Sequence, residues 1–203
     1  FAHIKRRNRY YLFWLVTLGA AMGVFLSADL YTTFLFFEVM SFTSYVSVVQ
    51  TEEEEALRAG GTYLAVAVIG GLVTLSGLFL LHFQLGTLQI DQLAQASDRT
   101  LLWVGGLLTL VGFGAKAGAF PLHIWLPTAH PAAPAPASAV LSGVITKTGI
   151  YGVAVLSTTL FLHDGSWGAM LAAIGAVTMV LGAVLALCSV DLKRTLACSS
   201  VSQ

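Results

Sequence analysis

The sequence predicts an all-α, polytopic membrane protein with about six transmembrane helices, one of them broken. Of its 203 residues, 57% are hydrophobic and only 10% are charged, and the mean hydropathy is +0.82. A chain this apolar has too few polar groups to cover a water-facing surface. The formal net charge is zero, and the charges cluster in the connections between apolar segments. Nucleic acid is therefore not expected as a partner.

Six apolar segments are long enough, or nearly so, to cross a hydrocarbon core of about 30 Å at 1.5 Å of helical rise per residue. A proline within a helix removes a backbone donor and clashes with the preceding turn, which predicts a broken fourth helix. The predicted spans are residues 10–27, 30–49 and 59–81, a fourth from Leu101 that is interrupted at Pro121, a fifth that begins after Pro134 and Pro136 and ends near Phe161, and residues 167–190.

Two connections have a predicted structure of their own. The glutamates at 52–55 are predicted to form the solvated first turn of the third helix, where carboxylates suit the positive end of the helix dipole and Thr51 can act as the cap. The segment 82–100 is too polar to span the membrane. Its Leu85, Leu88 and Leu93 are predicted to lay a short amphipathic stretch on the membrane interface.

The basic residues predict the orientation. Alternating spans place only Arg99 on one face of the membrane, and on the other face Lys5, Arg6, Arg7, Arg9, Arg58, Lys193 and Arg194. The positive-inside rule assigns that richer face to the cytoplasm. The protein is therefore predicted to be a multi-pass protein of the cell inner (cytoplasmic) membrane.

Three ionisable residues lie inside the predicted spans, namely Glu38, Lys116 and Lys147. A charge at membrane depth is costly unless it is paired, hydrated or neutralised, so it indicates function. All three fall at middle depths, and one acid with two bases in the same layer favours pairing. Glycines beside both lysines leave room for water and local unwinding. Ser41 and Tyr45 share a helical face with Glu38 and are placed to orient a short water chain.

Two histidines, His123 and His130, lie in the proline-rich segment between the lysines. Proton transfer and a capping or packing role are both open for them. They are also the one candidate ligand pair for a membrane-embedded hydrolase or metalloenzyme. No motif for nucleotide, flavin, haem or a metal cluster is present, so we expect no cofactor, no metal and no bond-making catalytic residue.

A long segment carries a specific resemblance. The run KAGAFPLHIWLPTAHPAAPAPASAVLSGVITKTGIYG closely resembles the signature of the proton-translocating, antiporter-like membrane subunits shared by respiratory complex I, Mrp-type antiporters and membrane-bound energy-converting hydrogenases. The run SADLYTTFLFFEVMSFTSY resembles the glutamate-bearing helix of that family, and DLKRTLACSSVSQ resembles the start of its later DLKR-type helix. The resemblance covers nearly the whole chain.

The resemblance implies an architecture. Members of the family are similar in having two inverted repeats of five helices, each with a discontinuous helix, which suits ion sites near the membrane midplane. It implies a single transmembrane domain over residues 1–203, in which 10–161 form the first five-helix repeat and 167–203 begin the second. The chain has no initiator Met and stops within a predicted helix, so we expect it to be a fragment.

The resemblance also implies roles for the charged residues. Glu38 matches the essential glutamate of the family, Lys116 the broken-helix lysine that pairs with it, and Lys147 the central lysine of the following helix. His123 and His130 fall at positions that some branches keep. The exit gate of the second repeat would lie beyond Gln203.

These observations predict proton translocation through a Glu/Lys/Lys relay. The expected setting is a subunit of an NADH:quinone oxidoreductase-like or membrane-bound hydrogenase complex, with other membrane subunits and the lipid bilayer as partners. One alternative is an Mrp-type Na⁺/H⁺ antiporter subunit, in which sodium is the opposing ion. Another, of a different class, is a scaffold subunit that translocates nothing.

Overall fold

The computed structural model describes residues 6–93 and 99–203 of the chain, and most of these residues are helical. The α-helices of this described part are α1 (Arg7–Leu26), α2 (Leu30–Val48), α3 (Glu54–Leu85), α4 (Arg99–Ala117), α5 (Trp125–Ala132), α6 (Ala135–Val140), α7 (Thr146–Thr159), α8 (Gly165–Leu187) and α9 (Leu192–Ser202). Short 3₁₀ turns occur at Ile90–Gln92 and Leu122–Ile124, and a π turn at Leu141–Ile145 joins α6 to α7. The predicted all-α class is confirmed.

Five helical stretches of the described chain are long and apolar enough to cross a membrane. They are Arg7–Leu26, Glu54–Leu85, Thr100–Ala132, Ala135–Thr159 and Gly165–Leu187. The predicted second span, α2, is not among them, because its 19 residues include Glu38 and many hydroxyl side chains. It packs between α1 and α3. The number of six spans therefore stays a prediction.

The turn between α2 and α3 differs from the predicted arrangement. Glu53, not Thr51, occupies the N-cap position of α3, and its side chain makes no capping hydrogen bond. Glu52 is an ion-pair partner as well as a solvated residue, since its Oε1 accepts hydrogen bonds from Arg6 at 2.8 Å and from Arg9 at 2.7 Å. The basic start of α1 is therefore tied to the acidic turn that precedes α3.

The connection after α3 packs against the rest of the protein. The prediction that its leucines lie on the membrane interface is therefore wrong for two of them. Leu88 is 6% exposed and Leu93 is 1% exposed. The backbone explains this position, because the amide of Leu30 donates to Leu88 O at 3.0 Å and the amide of Ile90 donates to Ala28 O at 3.0 Å. These bonds dock the connection on the turn between α1 and α2 and direct both leucines into the core. Residues 94–98 of the predicted connection lie outside the described residues.

Asp29 caps α2 at that turn. Its Oδ1 accepts the amide of Thr32 at 2.8 Å, and its Oδ2 accepts the Thr32 hydroxyl at 2.6 Å. Burial acts to raise the pKa of Asp29, but the Thr32 hydrogen bonds hold that pKa below its usual value. The cap therefore stabilises the fold above the unfolded-state pKa of about 4, and its contribution is lost as the pH falls through the lower folded-state pKa.

Replacing Asp29 with alanine is expected to lower the stability by about 1 kcal/mol at neutral pH, the usual cost of a lost N-cap. Thermal unfolding in detergent measures the change. The difference from the unmodified protein should shrink as the pH falls below about 4. Asp91→Ala, at an exposed position of the connection, is the matched control. A cap substitution that is no more damaging than this control would contradict the role of Asp29.

Candidate functional site

The break in the fourth predicted span determines where Lys116 lies. Helix α4 ends at Ala117, and Gly118 follows with a left-handed φ of 84°. The amide of Gly118 donates to Ala115 O at 3.2 Å and that of Ala119 donates to Gly114 O at 2.8 Å, which is the pattern of a Schellman motif. The helix therefore stops three residues before Pro121, at the glycine that can adopt this conformation.

Lys116 lies in the last turn of α4 and is 4% exposed. The carbonyl end of a helix favours a cation, because the helix dipole is negative there. The indole of Trp125, at the start of α5, donates to Ala115 O at 2.7 Å and so joins the second half of the broken helix to the first. The ammonium lies 4.5 Å from the ring centroid of Tyr63, 5.7 Å from that of Phe37 and 5.8 Å from that of Trp125. These aromatic faces stabilise a cation.

A pair of hydroxyl groups extends from this lysine. Lys116 Nζ donates to the hydroxyl of Tyr63 at 2.9 Å, and that hydroxyl lies 2.5 Å from Ser44 Oγ on α2. Tyr63 and Ser44 are each 1% exposed. A cavity of about 10 Å³ is lined by Lys116, Tyr63 and Trp125 among others, and this is close to the volume one water requires. The ammonium therefore has a short chain of groups that can pass a proton.

Ser44 is one of the residues that line a second cavity of about 10 Å³. Trp14, Thr17 and Ser47 are among the residues that line it. The indole nitrogen of Trp14 is buried and has no hydrogen-bond partner among the described residues. A water-sized space with several polar neighbours is one that water can occupy.

Glu38 is half-buried on α2, with its carboxylate against α3. A Cβ placed on Gly71 would lie 2.5 Å from Glu38 Oε1, so the glycine makes room for the carboxylate. Oε1 is buried and has no hydrogen-bond partner among the described residues. Among the described residues, no ion pair of 4 Å or less joins Glu38 to Lys116. The two groups are nevertheless near enough to interact electrostatically. The direct pair implied by the resemblance is not formed among the described residues, in which Lys116 donates to the Tyr63 hydroxyl.

Lys147 points away from this cluster. Helix α7 packs on α4 through Gly149, where an added Cβ would meet Phe113 O and the amide nitrogen of Ala117. Lys147 lies two residues earlier, about 200° around the helix at roughly 100° per residue, and its side chain is exposed. It makes no hydrogen bond with the other described residues. The structure therefore brings Glu38 and Lys116 together and leaves Lys147 on the outer surface of the chain.

The two histidines occupy different surroundings. His123 lies in the 3₁₀ turn after the break, half-buried, with its ring centroid 5.9 Å from that of Phe120. His130, in the last turn of α5, is 2% exposed, and its Nδ1 lies 2.6 Å from Ser138 Oγ. Within the described residues, no group of three or more His, Cys, Asp or Glu side chains is placed to hold a metal ion.

The sequence reasoning missed Tyr63 and Ser44. It favoured Ser41 and Tyr45 as hydroxyl partners of Glu38, but Ser41 Oγ donates to the backbone oxygen of Phe37 at 2.8 Å. Ser44 lies three residues after Ser41 and is therefore its neighbour on the helix surface. The same spacing argument could have identified Ser44 as a candidate hydroxyl. A tyrosine within an apolar helix that is expected to be buried needs a hydrogen-bond partner, and this pattern could have singled out Tyr63.

Comparison with known sequences gives a consistent set of relatives. A family described as NADH:quinone oxidoreductase/Mrp antiporter, TM, matches residues 27–203. Hydrogenase-4 component B of Escherichia coli (strain K12) is 40% identical over 174 residues, which cover 81% of this chain and 25% of that protein. A Na(+)/H(+) antiporter subunit of Alkalihalophilus pseudofirmus is 32% identical over 206 residues, which cover 98% of this chain and 42% of that protein.

Solved structures show the same similarity. The membrane-bound sulfane sulfur reductase, an archaeal respiratory membrane complex, contains a chain that matches with a TM-score of 0.92 and 28% identity, over 98% of this chain and 42% of that one. The Mrp complex from Dietzia sp. DQ12-45-1b matches with a TM-score of 0.88 and 28% identity, over 94% of this chain and 36% of that one. The chain thus spans less than half the length of each of the proteins and chains that it matches.

Proposed function

The chain belongs to the transmembrane NADH:quinone oxidoreductase/Mrp antiporter family, as its motifs predicted, and we propose that it carries one half of a proton path through the membrane. The observation that supports this most directly is the buried ammonium of Lys116 on a chain of hydroxyl groups, with an unbonded carboxylate nearby. A purely structural lysine would be expected to have a carboxylate or carbonyl partner. Lys116 is instead bonded to a group that can both accept and donate a proton.

The proposed first step uses Glu38 to control Lys116. The negative carboxylate stabilises the charged ammonium across the gap between α2 and α4, and this attraction weakens when Glu38 takes up a proton. Lys116 then releases its proton more readily. A proton leaving Nζ passes to the oxygen of Tyr63 as the Tyr63 hydroxyl proton passes to Ser44 and the Ser44 hydroxyl proton passes to a water molecule. Both hydroxyls end neutral, Lys116 ends uncharged, and the water carries the proton.

The later steps involve residues on other faces. In this proposal Lys147 is the next acceptor, reached through water, and its outward position lets it face a neighbouring element that is not part of this chain. His123 and His130 are proposed as auxiliary proton carriers on the second half of the broken helix. The two-repeat arrangement, with residues 10–161 as the first repeat and 167–203 as the start of the second within one transmembrane domain, belongs to the same proposal.

The proposed setting is a multisubunit complex of the inner membrane, with other membrane subunits as partners. Relatives in a hydrogenase and in an archaeal respiratory complex support a redox-driven pump. The match to a Na⁺/H⁺ antiporter subunit over 98% of the chain supports the second candidate, in which an opposing sodium gradient drives proton movement. Proton uptake that responds to a sodium gradient but not to the redox substrate would favour the second candidate.

Replacing Glu38 with glutamine is expected to slow proton uptake at least about tenfold, because the amide cannot change charge in response to a proton. The measurement uses a pH-sensitive dye in vesicles that contain the full-length subunit in its complex. Glu54→Gln is the control, since Glu54 is exposed and pairs with Arg58 on the surface.

Normal uptake in an assembled Glu38→Gln complex would show that the carboxylate does not control the path. Assembly is verified by the yield of intact complex after purification. Equal loss in Glu38→Gln and Glu54→Gln would instead point to a general effect of charge on folding.

A further inference from the structure

The end of α5 leaves carbonyl oxygens without backbone donors. The last carbonyls of any helix lack partners within the helix, and proline supplies no N–H. Pro131, Pro134 and Pro136 all follow His130 within six residues. A side chain of α9 supplies hydrogen-bond donors to two of these carbonyls: Lys193 Nζ donates to Pro131 O at 3.2 Å and to Ala133 O at 2.9 Å.

The position of Lys193 within its own helix does not stabilise its charge. It lies in the first turn of α9, where the helix dipole is positive and disfavours a cation. Asp191 already caps that helix, accepting the amide of Arg194 at 2.9 Å. The half-buried ammonium is directed instead at the negative end of α5, where a cation is favoured. Its location is therefore explained by α5 and not by α9.

Three helices meet at His130 beside this contact. The imidazole is buried on α5, its Nδ1 is bonded to Ser138 of α6, and its Nε2 is buried with no partner among the described residues. The Lys193 ammonium of α9 acts on the imidazole electrostatically. Helices α2 and α3 also pack against α5, and within the described chain neither presents a charge that acts on this ring.

We propose that Lys193 is a positioning residue for His130: it holds the end of α5 through the two carbonyls and places a fixed positive charge beside the imidazole. The fixed charge opposes a second positive charge on His130. Together with the burial of the ring, helix α9 would thereby influence how readily His130 takes up a proton. The effect of Lys193 on proton uptake by His130 rests on the proposed function. The stabilisation of the end of α5 by Lys193 does not.

The test uses Lys193→Met and Lys193→Arg in the full-length subunit within its complex. Amide hydrogen exchange of the α5 peptide is the first readout. Lys193→Met is expected to speed exchange roughly tenfold or more, because two charge-assisted hydrogen bonds are lost, and Lys193→Arg should restore most of the protection. Arg194→Met removes the neighbouring cation, whose side chain is exposed, and is the matched control.

The pH profile of proton uptake is the second readout. Lys193→Met is expected to move its midpoint by roughly half a pH unit or more towards higher pH, because removing a positive charge eases protonation of a neighbour. The shift should disappear when His130 is replaced by asparagine in the same background. A structural role alone would lower the rate without moving the midpoint.

The two readouts separate this inference from the proposed function. If the Glu38→Gln complex takes up protons normally, the proposed function fails. The hydrogen-exchange measurement still tests whether Lys193 stabilises the end of α5. The inference would be overturned if Lys193→Met showed the same α5 exchange rate and the same pH midpoint as Arg194→Met. Faster exchange with an unmoved midpoint would overturn the effect on His130 and leave Lys193 as a structural anchor.

Discussion

Replacing Lys116 with alanine is expected to abolish proton uptake by the assembled complex. Lys116 is the buried cation on which the hydroxyl pair and the nearby carboxylate converge, and alanine can neither hold nor release a proton. A loss of at least about 100-fold is expected, in the range that a single proton-transfer group contributes. The measurement is dye-reported acidification of vesicles, driven by the redox substrate or by an imposed ion gradient.

A conservative change at the next position refines that test. Tyr63→Phe keeps the aromatic face that lies 4.5 Å from the ammonium and removes only the hydroxyl, so uptake should fall without a loss of assembly. Arg58→Ala, which removes an exposed cation on the same helix as Tyr63, should leave uptake intact. Undiminished uptake in Lys116→Ala would rule out the proposed relay, and the chain would then be better described as a scaffold.

Replacing Gly149 with alanine is expected to prevent normal packing of α7 on α4. The added Cβ would lie 2.5 Å from Phe113 O and 2.5 Å from the Ala117 nitrogen. Both atoms are backbone, so no side chain can move aside and the helices must separate. The expected cost is about 3 kcal/mol or more, at the upper end of overpacking. The yield of folded protein and its thermal unfolding in detergent provide the measurement.

The control for this change lies six residues away. Gly143→Ala adds a Cβ that meets nothing within 4 Å, so it should be tolerated. A Gly149→Ala protein as stable as Gly143→Ala would mean that the two helices are farther apart than the structure has them.

The sequence was most informative where backbone chemistry determines the structure. Pro121 predicts a broken helix, and the structure ends α4 at Ala117, with Gly118 following in a left-handed conformation. Glycines beside Lys147 predict local unwinding, and a π turn ends at Ile145, two residues before Lys147. In each case neighbours in the chain produce the effect, so no knowledge of distant contacts is needed.

The arrangement of side chains across helices was harder to predict. Lys116 is bonded to Tyr63, 53 residues away in the chain, and helix periodicity does not specify which helices are neighbours. The burial of Leu88 and Leu93 also depends on contact with a distant turn. The outward direction of Lys147, by contrast, follows from its two-residue separation from Gly149 once α7 is known to pack on α4 there.

The π turn before Lys147 has a geometric consequence for that side chain. The amide of Thr146 donates to Leu141 O, five residues earlier, so the turn contains one residue more than an α-helical turn. Each residue corresponds to about 100° of rotation. Rewinding the turn to α-helical spacing would therefore rotate Lys147 by about a quarter of a circle relative to α6, or move α6 by the same angle. The direction of this lysine relative to α6 is thus coupled to the choice between two hydrogen-bond registers in five residues.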